Sequence, residues 1–186
     1  MAEVELKPGD TASSGGYSRV FDRPSSSIPL FMSAYFLLKT IHVISATILF
    51  GTGLGIAFFM FRSRSTDHLQ EKFFAIRTTV LADYLFTAPA AVLQPATGAW
   101  LIWNGGFQWT EDWLLISYVL YAIAALCWLP VVRIQIRLKQ ILAACLSSGD
   151  PLPPHYDRLF RTWFILGWPT FLGLVVVFFL MVLKSR

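Results

Sequence analysis

The chain has 186 residues, 55% hydrophobic and only 14% charged, with a mean hydropathy of +0.58, where soluble domains run at about 45–50% and about 25%. That surplus excludes a disordered chain, a fibrous protein and a disulfide-stapled secreted module, and the length suits one domain rather than a transporter of two repeated halves. The net charge is +4, but the basic residues gather at the ends of apolar runs, where charges set membrane topology, so nucleic acid is excluded as a partner.

Residues 1–28 are rich in Ser and Gly and carry only scattered apolar side chains, which predicts a disordered tail. It starts acidic, at Glu3 and Glu5, and lacks the apolar stretch of a secretory signal. Residues 29–186 read as an all-α, polytopic membrane domain, a bundle of four transmembrane helices. The spans fall at 33–61, 78–103, 113–132 and 162–183, each reaching the roughly 20 residues that crossing hydrocarbon requires.

Arg62, Arg64, Lys72 and Arg77 lie between the first two spans, and Arg133, Arg137, Lys139, Arg158 and Arg161 between the last two. The positive-inside rule then puts both basic loops in the cytoplasm and both termini outside, in a cell's inner (plasma) membrane. The short link from Asn104 to Asp112 is flanked by Trp100, Trp103, Trp109 and Trp113, as an interfacial belt would be. Beyond the third span, Arg133 to Leu146 alternates basic and apolar residues at helical spacing, which suits a helix lying on anionic lipid. Ser147-Ser148-Gly149-Asp150-Pro151 ends it.

Within the spans, Lys39, His42 and Asp83 are the only Asp, Glu, Lys, Arg or His. Ionisable groups at such depth are costly and usually face a bundle interior. Lys39 and His42 stand three apart, on one helix face, and neutral imidazole is a ligand for haem iron. The plainer alternative is that His42 hydrogen-bonds a neighbouring helix while Lys39 snorkels to the outer interface. His68 and His155 lie in the basic loops and do not pair with His42 across a bundle. Asp83 reads either as a functional carboxyl or as a partner for Arg77 or Arg133. Gln94, beside the helix-bending Pro95, reaches the level of His42. Gly51-Thr52-Gly53-Leu54-Gly55 has the spacing for close helix approach, and Thr170 is placed to patch carbonyls freed by Pro169. Cys127 and Cys145 read as buried, inert thiols.

The stretches LLKTIHVISATILFGTGLGIAFFMF, VLADYLFTAPAAVLQPATGAWL, WLLISYVLYAIAALCWLPVVRIQIRLK and FRTWFILGWPTFLGLVVVFFLMVLK resemble domain of unknown function 2269, a group of predicted integral membrane proteins. That resemblance implies a four-helix membrane fold and no established activity. Lys39-x-x-His42, and Pro169-Thr170 before an apolar run and Lys184, are also similar to HemJ-type protoporphyrinogen oxidases and copper-resistance D-like membrane proteins. In the oxidases the histidine is the presumed haem contact. The chain departs from them at Leu166-Gly167-Trp168, where they have Asn-Glu, and in a third span without a basic residue.

Together these features lead to a membrane protein that holds haem b, or a related porphyrin, through His42 as iron ligand with Lys39 beside it, in a redox role. The competing readings are a non-enzymatic assembly or structural partner, and a small proton-coupled transporter using Asp83 and Gln94. The partners expected are the lipid bilayer and a second copy or another membrane subunit. No nucleophile–base pair, paired catalytic carboxylates or HExxH motif is present.

Overall fold

A backbone surrounded by hydrocarbon must satisfy its own N–H and C=O groups, so long apolar stretches become helices. The computed structural model describes residues 30–183; the tail expected over 1–28 and the basic ends Lys184 and Arg186 lie outside the described residues. Helix α1 spans Leu30–Ser63 and α2 spans Leu69–Ala82. A π-helical turn, Asp83–Thr87, joins α2 without a break to α3, Ala88–Gly105. Helices α4, Asp112–Ser148, and α5, His155–Leu183, follow. Counting α2, the π turn and α3 as one rod, four helical rods among the described residues are long and apolar enough to cross a membrane. Large apolar side chains such as Phe58, Val92, Leu126 and Phe179 face outward, the inverse of a soluble protein and the arrangement lipid requires.

Glycine ends two of the rods. Gly106 and Gly149 adopt φ of 71° and 77°, the left-handed conformation that closes a helix and that a Cβ disfavours. The Gly149 N–H bonds back to the Cys145 carbonyl at 2.9 Å.

Helix α4 has 37 residues, about 55 Å at about 1.5 Å per residue, against about 30 Å of hydrocarbon. Its extension beyond the third span does not lie on lipid, as the alternating pattern had suggested. Ile134, Leu138, Leu142 and Cys145 form a buried stripe, and the first three join Met60 of α1, Ile76 of α2 and Tyr156, Phe160 and Trp163 of α5 in the core. The basic residues between them simply occupy the other faces. The core therefore sits at the end of the bundle that bears the basic loops.

Away from that end the rods pair off. Helix α4 packs along α5, α1 packs along α3, and α2 ties α1 to α4. The close approach that small residues permit falls at Gly173, where an added Cβ would lie 3.6 Å from the Leu120 carbonyl oxygen. It does not fall at Gly51, Gly53 or Gly55, where an added Cβ would meet nothing within 4 Å. Thr170 Oγ1 donates to the carbonyls of Leu166 and Ala124, both at 3.4 Å. The carbonyl that Pro169 frees by position is that of Ile165, so Thr170 bridges α5 to α4 rather than patching its own kink. Phe50 of α1 stacks on Phe171 of α5 at 5.2 Å between centroids, closing the other side of the bundle.

Candidate intramembrane binding site

Polar side chains inside hydrocarbon seek partners on neighbouring helices, and two separate groups of them stand out in the spans. The first stitches α1 to α3. His42 Nδ1 lies 2.8 Å from Thr97 Oγ1. The Gln94 amide donates to the His42 carbonyl at 2.7 Å and to Ser45 Oγ at 2.6 Å, and Ser45 Oγ donates to the same carbonyl at 3.0 Å. Thr97 Oγ1 donates in turn to the Leu93 carbonyl at 2.6 Å. Gly98 lets the imidazole in: a Cβ there would stand 3.4 Å from His42 Cε1. Gln94 thus reaches the level of His42, as its position suggested, but bonds the backbone rather than the ring. Lys39 is exposed on α1 and does not join this group. Among the two readings of the Lys39–His42 pair, the geometry matches the one in which the histidine bonds a neighbouring helix.

The second group surrounds Asp83. The π turn that carries it has a local cause. Pro89 has no N–H for the Leu85 carbonyl, and in α register its ring would crowd that oxygen. The ladder widens one turn earlier, so that the Ala88 N–H bonds the Asp83 carbonyl five residues back. Asp83 is 3% exposed and Thr87 is also buried. The Asp83 carboxyl is approached by the side chains of Thr87, Trp128 and Gln135, with Trp128 Nε1 donating to Oδ1 at 3.4 Å. Neither arginine expected as its partner pairs with it. Arg77 and Arg133 are exposed, and the one ion pair among the described residues joins Arg64 to Asp157 at 3.9 Å.

The second group borders a cavity of about 540 Å³ lined by all four rods. Four buried side-chain atoms have no hydrogen-bond partner among the described residues, namely Asp83 Oδ2, Thr87 Oγ1, Gln135 Oε1 and Trp163 Nε1. All four residues line this one cavity. An unpartnered polar atom in an apolar interior costs about 1–3 kcal/mol, so these four make a costly polar patch beside the cavity. The rest of the wall is mostly aliphatic, with six aromatic residues, Phe50, Tyr121, Trp128, Phe164, Trp168 and Phe171, set into it.

Tyr121 closes the wall between the two helix pairs by donating its hydroxyl to the Ala91 carbonyl. Pro95 deprives that carbonyl of its normal intrahelical partner. The kink and the cross-bundle bond are therefore one device.

His42 and Lys39 are not among the cavity's lining residues. The His42 imidazole is seated in the α1–α3 seam, with Nδ1 against Thr97 and Cε1 against Gly98. Among the described residues, no cluster of three or more His, Cys, Asp or Glu is placed to hold a metal ion. Sequence reasoning singled out Asp83 but missed Thr87, Gln135 and Trp163. Thr87 carried a weak signal, four residues beyond Asp83. Gln135 sat inside a basic stretch that read as surface.

The chain belongs to a family of predicted integral membrane proteins, domain of unknown function 2269, whose model matches residues 36–185. No curated protein and no solved structure matches it.

Proposed function

We propose that this integral membrane protein is a small carrier, with its basic loops in the cytoplasm and both termini outside the inner (plasma) membrane. In this reading it binds a small molecule in the central cavity and moves it across the bilayer in exchange with protons, Asp83 serving as anchor and coupling group. The observation that carries the reading is that four buried polar side chains, each with an unpartnered atom, line one cavity among the spanning helices. The packing supports it. The helix pairs α1–α3 and α4–α5 share their hydrophobic core at the basic end, and a continuous rod distorted by a π turn lines the site.

The test is proton movement. Liposomes containing the purified protein and a trapped pH-sensitive dye, given a mixture of small amines, alcohols and neutral solutes as counter-substrates, should discharge an imposed pH gradient faster than empty ones given the same mixture. Asp83→Asn should return the rate to that of empty liposomes while keeping its helicity by circular dichroism. Equal rates for wild type and empty liposomes overturn the carrier reading. Haem b on His42, in a redox role, is the competing reading, carried by the HemJ-type resemblance alone. A Soret band in the purified protein that His42→Ala removes would favour it.

A further inference from the structure

We infer that the molecule this cavity accepts is a hydrophobic amine with a neighbouring hydroxyl group, an inference that rests on the cavity being a binding site. The polar atoms left open define the ligand by what they lack. Asp83 Oδ2 and Gln135 Oε1 are acceptors, Thr87 Oγ1 both donates and accepts, and Trp163 Nε1 only donates. The Thr87 hydroxyl and the Gln135 amide lie within reach of the Asp83 carboxyl and meet part of its need, so an occupant must bring further N–H or O–H donors to the Asp83 side and one acceptor for Trp163.

An ammonium group brings three donors and no acceptor. It also supplies the countercharge that no Lys, Arg or His of the described residues gives Asp83. An adjacent hydroxyl provides the acceptor for the indole N–H. The walls fit the same choice. Tyr121, Trp128, Trp163, Trp168 and Phe171 line the cavity, and aromatic faces attract a desolvated cation while packing against an apolar body. An anion finds the reverse: a carboxyl, and no basic side chain on the lining. The volume, about 540 Å³, lies within the range of small-molecule sites.

The experiment uses a matched pair of probes, phenylalaninol (2-amino-3-phenylpropan-1-ol) and 3-phenylpropane-1,2-diol, which differ only by amine against hydroxyl. Each is titrated calorimetrically into the full chain in lipid nanodiscs. The wild type should bind the amino alcohol at least about tenfold more tightly than the diol, the scale of one charge-assisted hydrogen bond. Asp83→Asn should abolish most of that preference. Trp163→Phe, which keeps the ring and removes the donor, should weaken both probes by a similar factor and leave the preference intact. Equal or tighter binding of the diol by the wild type overturns the amine assignment and leaves the cavity as a site for a neutral ligand. Binding of neither probe overturns the inference and the site together, the orphan atoms then being met by water.

Discussion

Tyr121 and Pro95 show how a single side chain can repair a backbone defect introduced by another. The proline leaves the Ala91 carbonyl without its intrahelical donor, and the tyrosine hydroxyl supplies one from α4. Tyr121→Phe should lower stability by about 1 kcal/mol, the scale of hydrogen bonds between membrane helices. In a Pro95→Ala background, where the carbonyl regains its own partner, the same change should cost clearly less. Thermal unfolding in detergent of the two single variants and the double variant measures the coupling. A full and equal loss in both backgrounds would mean that the tyrosine acts through packing alone. His42 was legible in the sequence as an intramembrane oddity, yet its partner, Thr97, was not. Thr97 is one of many hydroxyls along an apolar run, and only the approach of α3 to α1 selects it.

The long extension of α4 shows the limit of pattern reading for an element. Alternating basic and apolar residues suit a lipid surface and a protein core equally well, because both bury one face and solvate the other. The structure chooses the core. Leu138 has 0% exposure, among Ile76, Phe160 and their neighbours. Leu138→Ala should therefore destabilise the fold by about 2–5 kcal/mol, the cost of a cavity in a packed interior. A helix lying on lipid would lose much less, so the melting temperature of this one variant separates the two arrangements. The π turn is a second element-scale feature with a visible origin. Pro89 was in plain view, but a proline inside an apolar run signals a bend without saying that the ladder takes up an extra residue.

At the scale of the molecule, the bundle is firmly packed at its basic end and divided beyond it, with the cavity in the division. The glycines of α1 belong to that looseness. Gly53 lines the cavity, and a Cβ at Gly51, Gly53 or Gly55 would meet nothing within 4 Å. Alanine at each should be accepted, with a gain of up to about 1 kcal/mol from helix propensity. Gly53→Leu should fold and yet fill the cavity, reducing phenylalaninol binding in the same nanodisc titration. If alanine at Gly51 or Gly55 instead breaks the fold, those glycines pack closely after all, and the open geometry of α1 is wrong.

Hydropathy alone was enough to give four spans and to isolate Lys39, His42 and Asp83 within them, because hydrocarbon permits little but closed helices and makes each ionisable residue costly. It could not say which of these act together. Depth in the membrane is written along the chain, whereas rotation about a helix axis is not, since a rod apolar on every face has no preferred side. The contacts among rods decide that rotation. They turned His42 and Gln94 into the α1–α3 seam, left Lys39 outside it, and brought Asp83, from the second span, to Gln135 on the extension of α4 and Trp163 on α5, around a space that no linear pattern describes.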